Sequence, residues 1–405
     1  MSTLVSSPAA LAAIVNRARQ CGLAAIDTEF VWTRTYYPVL GIIQIGLLEG
    51  DVYLVDAPAV ADTSTIAQLL EAPGVVKILH DASSDLVILN RFCGALPRNV
   101  FDVRLAAGFC GLTATLSLGR LLQALLGIEL AKTESRTDWL ARPLSPAQFE
   151  YAVDDVRHMP ETYRCLLGRL CEHGTAAWAQ EEMRAYEDPS AYQPDPPEKA
   201  YHNVKGMGRL NPEQLTLLRE LAAWRERTAR EKDRPRGRIL KDEHLLDLAL
   251  RPPATADDLR QGWRSRVREF RRYADGILAC VAAARTVPPA QRLRLPKSPL
   301  PAKIHKDRCD AVLGAIRQCA EPRGVDPTVV GPRRSASSLV LAAARGVIDG
   351  HPLLTGWRGE LVGDALRPML TAWENEAGAG PVAGSAATPE LPHLESTADP
   401  VLDTE

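Results

Sequence analysis

Short apolar runs punctuate the first hundred residues. Residues 23–26 form one that ends in Asp27, and Val39–Gly46 and Val52–Asp56 follow. After the Pro73-Gly74 break come residues 75–79 and then Val100–Asp102. Apolar runs of this length, bounded by turn residues, predict strands. Ahead of them, residues 1–13 read as the start of an amphipathic helix ending near Arg19 and Gln20. The period then becomes helical. It holds over residues 116–126, pauses in a polar stretch at 132–138, and resumes from Pro146. Strands first, with helices between and after them, predict an α/β domain over residues 1–185, a mixed sheet flanked by helices.

The remainder reads as all-α. Residues 186–203 (YEDPSAYQPDPPEKAYHN) are polar and proline-rich and predict a linker. Asn211, Pro212 and Gln214 are an N-cap, an N1 proline and an N3 glutamine, so a helix should open there within a helical domain over 204–285. Residues 286–302 are a second proline-rich break, and 303–375 are helical again. The tail from Glu376 to Glu405 has no Lys or Arg and predicts disorder.

Composition narrows the class. With 46% hydrophobic and 24% charged residues the chain is ordinary globular protein. Its net charge of −2 hides an uneven distribution. Residues 1–175 carry about four more acids than bases, and 205–273 about seven more bases than acids. An acidic front beside a basic middle suits a metal site next to a nucleic-acid holder. The eight cysteines include no CxxC pair, which argues against structural zinc and for reduced thiols in the cytoplasm. No stretch predicts a membrane span, and no basic segment precedes the first apolar run as a signal peptide requires. A helicase is disfavoured, because no GxxxxGK[ST] loop occurs.

Three motifs carry candidate chemistry. In Asp27-Thr28-Glu29 strand alternation puts both acids on one face and turns Thr28 away. Two adjacent carboxylates ask for a cation between them. In the stretch from His80 to Asp85 a strand runs into a helix, with Asp85 in its first turn. Capping alone would account for Asp85, Asp81 is its rival, and a strand-end histidine with a satisfied hydrogen bond accounts for His80. In the third motif Ser145, Pro146 and Gln148 fix a helix start, which stacks Tyr151 and Asp155 four residues apart on one face. Asp154 points elsewhere, and a core aromatic is the plain alternative for Tyr151. Trp139 reads as core.

Taken in order, Asp27, Glu29, Asp85, Tyr151 and Asp155 resemble the DEDD exonuclease superfamily, tyrosine subtype. Thr115–Leu118 and the run from Lys132 through Arg136 to Leu144 are similar to the ribonuclease D family. That resemblance implies an RNase H-like fold and two Mg²⁺ or Mn²⁺ ions about 3.5–4 Å apart. It makes Asp27 the bridging ligand, Glu29 and Asp155 ligands of the ion with the attacking water, and Asp85 a ligand of the second. Tyr151 would orient that water, since a phenol with a pKa near 10 is a poor base at neutral pH. The implied activity is 3′–5′ exoribonuclease, releasing 5′-mononucleotides from single-stranded 3′ ends. By family, the substrates are tRNA precursors and the state is monomeric. Residues 204–285 resemble the HRDC module, and 303–375 resemble a diverged second copy. Arg234, Arg236 and Arg238 would contact phosphates, as would Lys132 and Arg136; a solvated charged face is the alternative. A DNA exonuclease and a catalytically inactive nucleic-acid scaffold remain as other readings.

Overall fold

The computed structural model describes residues 2–60, 63–130, 137–261 and 268–378. The expected acidic tail beyond residue 378 and the predicted phosphate contacts Lys132 and Arg136 therefore lie outside the described residues. The chain divides into two units. One takes the described residues of 1–29, 40–192 and 298–378; the other takes those of 30–39 and 193–297.

The first unit is built on six strands: β1 (Ser2–Val5), β2 (Leu23–Val31), β3 (Val39–Gly46), β4 (Val52–Asp56), β5 (Val76–Leu79) and β6 (Val100–Asp102). Their order is β1-β4-β3-β2-β5-β6, with β3 and β4 antiparallel and the β1/β4, β2/β5 and β5/β6 pairs parallel. The sheet is thus mixed, and β3, inside it, is buried along all but its first residue. One expectation is corrected. The chain opens as a strand, with Ser2 aligned to Val52 and Val5 to Val55, and the helix begins only at Pro8 behind the Ser7 cap. Four residues are too few for a period to separate strand from helix, and the pairing partner lies far along the chain.

Two glycines bring the site helix close. A Cβ on Gly46 would stand 2.6 Å from the carbonyl oxygen of Val156, and one on Gly41 would stand 2.5 Å from that of Trp139. The helix Pro146–Arg157 and the loop before it therefore lie flush against β3. Arg142 pins that loop: its guanidinium donates to both carboxylate oxygens of Asp56 at 2.7 and 2.8 Å, and to the carbonyls of Gly41 and Trp139. Trp139 is core, as expected.

Residues 186–203 fold into short 3₁₀ turns. Tyr186 at their start donates its hydroxyl to Asp102 at 2.7 Å. The helices Ala302–Ala320, Arg333–Ala343 and Gly356–Gly378 belong to the same unit as the sheet. Buried Trp357 packs on Phe109 with ring centroids 4.9 Å apart and stacks on Trp178, and its indole donates to Glu182.

The second unit centres on the helix Pro212–Glu231, which opens with the expected capping box of Asn211 and Gln214. Leu218, Leu221, Ile239, Leu245, Phe270 and Ile277 form its core. Tyr36, from the segment after β2, packs against that core. Its hydroxyl donates to buried Glu226, which Arg230 and Arg236 also grip, and the Asp233 carboxylate accepts from the backbone amides of Tyr36 and Tyr37 at 3.0 and 3.1 Å.

Candidate active site

β2 contains the sequence Ala25-Ile26-Asp27-Thr28-Glu29, and its alternation presents Asp27 and Glu29 together. The capping box of Ser145 and Gln148 sets the phase of the helix Pro146–Arg157, and Gln148 also donates to Thr137 at 2.9 Å. Asp155 arrives from this helix. Asp27, Glu29 and Asp155 each offer a carboxylate oxygen within 4.8 Å of the others.

Asp85 approaches from the helix Ser83–Cys93, in its first turn. The turn that leads there is held by Asp102, whose carboxylate accepts from the amides of Asp81 and Ala82 at 3.2 and 3.0 Å. Asp81 takes a left-handed conformation with φ 61°, which a short polar side chain tolerates. Its own carboxylate is exposed and paired with Arg104, whereas Asp85 is buried. The geometry therefore separates the two rivals and puts Asp85 among the acids. His80 turns its ring to the carbonyl of Leu116 at 3.0 Å, and burial holds its pKa below the ordinary value. Asp154 is paired with Arg157 at 3.2 Å.

The electrostatics are those of crowded, desolvated acids. Burial, then the charges of Asp85, Asp155 and Glu29, push Asp27 well above the carboxylate range. Burial, Asp155 and Asp85 push Glu29 up to about 8. Burial, Asp154 and Asp85 lift Asp155 to about 7. Burial also lifts Asp85 to about 7, against the opposing hydrogen bond from Thr28. Tyr151 is raised above the usual phenol value by burial and by Asp155, Glu29 and Asp27, so it keeps its proton at neutral pH.

Two contributors were missed from sequence. Thr28, read as pointing away, donates its hydroxyl to Asp85. Gln44 of β3, wholly buried, donates to Asp27 at 3.4 Å. Strand parity could find neither, because parity says which face a residue takes and not who meets it there.

A divalent cation fits these residues. The donors are all hard carboxylate oxygens, and buried Asp155 Oδ2 has no hydrogen-bond partner among the described residues. Mutual repulsion among four acids is relieved by positive charge in their midst.

The predicted phosphate contacts in the helical unit differ in their surroundings. Arg234 and Arg238 line a cavity with Arg34, Arg268 and Arg272. Arg236 instead bonds Glu226 and the Tyr36 hydroxyl.

The sequence pattern of the 3′–5′ exonuclease family matches residues 3–170, and that of the HRDC domain matches residues 214–281. With the mixed sheet and its convergent carboxylates, this defines a divalent-metal-dependent 3′–5′ exonuclease carrying a helical HRDC domain. Ribonuclease D of Desulfotalea psychrophila is 35% identical over 368 residues, covering 89% of this chain and 96% of that protein. Ribonuclease D of Escherichia coli is 32% identical over 377 residues, covering 91% and 98%. The crystal structure of Escherichia coli RNase D, described as an exoribonuclease involved in structured RNA processing, superposes with a TM-score of 0.82 at 30% identity, over 92% of this chain and 99% of that one. The chain belongs to the ribonuclease D family of 3′–5′ exoribonucleases. Among its described residues no helix is long and apolar enough to cross a membrane.

Proposed function

We propose that the chain trims the 3′ ends of tRNA precursors in the cytoplasm as a monomer, one nucleotide at a time, and that Asp27, Glu29, Asp85 and Asp155 hold two Mg²⁺ or Mn²⁺ ions. The observation that carries this reading is the convergence of Asp27, Glu29 and Asp155 within 4.8 Å around an unpartnered carboxylate oxygen. Such a cluster is unstable as bare anions and favourable as a cation cradle.

When bound, divalent cations supply the charge that lets these acids ionise together, acidify water and stabilise negative charge growing on phosphate. The chain's own groups do the rest. Asp27 feels the charges of all three other acids, as a ligand shared between two cations would. Glu29 and Asp155 each bring a carboxylate oxygen within 4.8 Å of it, and Thr28 fixes one oxygen of Asp85. Tyr151, protonated and next to Asp155, donates a hydrogen bond to the attacking water and aims its lone pair at the terminal phosphorus. It takes no proton. The water oxygen bonds to phosphorus as the phosphorus–O3′ bond breaks; the proton the water gives up passes to solvent, the leaving 3′ oxygen takes a proton from solvent and becomes the 3′ hydroxyl of the shortened chain, and a 5′-mononucleotide is released. Residues 303–375 serve as a second, diverged HRDC-like element beside the 204–285 module.

The test is a cleavage time course on a 5′-labelled tRNA with a short 3′ extension, with Mg²⁺ or with EDTA, beside a DNA oligomer. A ladder that shortens one nucleotide at a time, lost with EDTA and with Asp27→Ala, is expected. A ladder on DNA but not RNA would move the substrate class. Binding without any ladder would leave an inactive scaffold.

A further inference from the structure

Thr115–Leu118 contributes no acid to the site, yet the loop it belongs to is tied to the turn that delivers Asp85. His80 Nε2 lies 3.0 Å from the carbonyl oxygen of Leu116. Arg104 makes the second tie. Its Nε donates to the carbonyl of Ala114 at 2.6 Å, and its Nη1 donates to the Asp81 carboxylate. One guanidinium thus brackets loop and turn. Its backbone is fixed as well, because its amide donates to Asp102 Oδ1 at 2.9 Å, the oxygen that also accepts from the Asp81 amide. The helix Ser83–Cys93 has no side-chain cap from the residue before it. Asp81, a short carboxylate just ahead, could supply one. Its carboxylate is instead turned outward to Arg104, and Asp102 accepts the Ala82 amide. A group that could cap the helix is used to hold the turn.

The loop is braced from behind by the segment after residue 302. Asp326 accepts from the Thr328 amide at 2.8 Å with one oxygen and from the Ala114 amide at 2.7 Å with the other. Its own amide donates to the Gly108 carbonyl at 2.7 Å, and the Gly111 amide donates to the Gly324 carbonyl at 2.6 Å. The approach is too close for a side chain: a Cβ on Gly108 would stand 2.6 Å from the Val329 side chain. Ala114 is therefore held at its amide by Asp326 and at its carbonyl by Arg104, all within the unit that contains the sheet.

We propose that Arg104 is a positioning residue for the metal ligand Asp85, and that Asp326 fixes the loop on which Arg104 is anchored. The assignment rests on the reading of Asp85 as a ligand. Asp85 stands in the first turn of the helix that Asp81 leads into, so any rotation of that turn carries its carboxylate with it. Thr28 fixes one oxygen of the side chain, and the Arg104 bracket fixes the backbone beneath it. Mg²⁺ demands near-ideal octahedral geometry, so a displaced carboxylate weakens metal binding before it weakens the fold. The helices after residue 302 thereby help to set the metal site without touching it.

The test uses the full chain as wild type, Arg104→Gln, Asp81→Asn, Asp326→Ala, Arg104→Gln/Asp326→Ala and Asp85→Ala. Asn at position 81 removes the ion pair and still tolerates the left-handed backbone. Mn²⁺ affinity is read by calorimetry, and the Mg²⁺ concentration for half-maximal trimming is read on a 5′-labelled oligoribonucleotide. Arg104→Gln and Asp81→Asn should each weaken Mn²⁺ binding and raise the Mg²⁺ requirement about tenfold, the low end for losing a group behind a metal ligand. Saturating Mg²⁺ should restore kcat while KM for RNA stays put, a pattern that general loss of fold does not give. Asp326→Ala should shift both readouts in the same direction. The double variant should be no worse than Arg104→Gln, since both residues act through one chain of bonds. Circular dichroism melts identify a variant that misfolds, and the other member of the Arg104–Asp81 pair then decides. Wild-type Mg²⁺ dependence in folded Arg104→Gln and Asp81→Asn, with Asp85→Ala impaired, would overturn the positioning role and leave Asp85 a ligand. Wild-type Mn²⁺ affinity and trimming in Asp85→Ala would overturn the ligand reading and the proposal with it. Multiplied effects in the double variant would overturn the part given to Asp326.

Discussion

The Thr28 hydroxyl donates to Asp85, joining the middle residue of the DxE strand to an acid on a helix 57 positions away. Both side chains are buried, and the bond draws the Asp85 pKa down against the pull of burial. Thr28→Val keeps the shape and removes the donor. Divalent-cation affinity should fall roughly 10- to 100-fold, the usual cost of losing a partner behind a metal ligand. Thr28→Ser should restore it. Calorimetric Mn²⁺ titration reads both, and equal affinity in Thr28→Val would detach this bond from the metal site.

Asp155→Asn should separate stability from activity. The wild-type side chain carries a buried, unpartnered oxygen among like charges. Removing the charge should raise the melting temperature of the metal-free protein by a few degrees, the shift that ~1 kcal/mol gives in a chain of this class. Trimming should fall by roughly 10²–10³-fold. A destabilised Asp155→Asn protein would contradict the repulsion described here.

The metal-free protein should lose stability as pH rises. Asp85 and Asp155 hold their protons to about pH 7 and Glu29 to about pH 8, whereas the unfolded chain releases them near the ordinary values of 3.8 and 4.5. Between about pH 4 and 8 the folded state therefore binds more protons than the unfolded one, so stability falls across that window as pH climbs. Thermal melts in EDTA should show the decline, and saturating Mg²⁺ should reverse it by replacing the protons. A flat EDTA profile matching that of Asp155→Asn would refute this.

Tyr151→Phe should lower kcat about 10²-fold while leaving KM and the melting temperature nearly unchanged. Because the phenol stays protonated, the basic limb of the wild-type pH–rate profile should belong to another group. Loss of a basic limb in Tyr151→Phe would instead make the phenol a titrating participant.

Glu226→Gln should destabilise the helical unit by about 2 kcal/mol, since it removes the buried anion that accepts from partly exposed Arg230 and Arg236. Burial alone would raise Glu226, but hydrogen bonds from Arg236 and Tyr36 and the charges of Arg236 and Arg230 bring it down to about 2. Its stabilisation is thus full above about pH 4.5 and is lost as pH falls toward 2. Urea titrations at pH 7 and pH 3 measure both effects, and a pH-independent difference between wild type and variant would contradict the ionised cluster.

What the sequence disclosed was what short-range chemistry encodes. Ser145, Pro146 and Gln148 start a helix by themselves, so the joint facing of Tyr151 and Asp155 could be read without knowing the fold. Apolar runs such as Val39–Gly46 marked their own strands. What stayed hidden depends on partners far along the chain. Ser2–Val5 is a strand because Val52–Asp56 lies beside it. Thr28 matters because Asp85 meets it, and Tyr36 because Glu226 lies 190 residues later. The helices after residue 302 read as a separate domain, yet Trp357 is buried against Phe109 and belongs to the sheet's unit. The likeness of Arg236 to its neighbours Arg234 and Arg238 in sequence concealed that its charge is already spoken for by Glu226.

β2 leaves its own unit at Glu29 and continues into a segment, Phe30–Val39, that folds with the helices from residue 193 onward. The boundary between the two units is therefore crossed by the same strand that bears two of the acids. Shortening the chain at the proline-rich stretch would not yield a clean catalytic half. It would strand Tyr36 without its apolar bed and its glutamate, directly downstream of Asp27 and Glu29. In a chain wired this way, the two units can be altered by substitution but not traded by shuffling, and a recombinant that swaps the helical unit must bring its own version of residues 30–39.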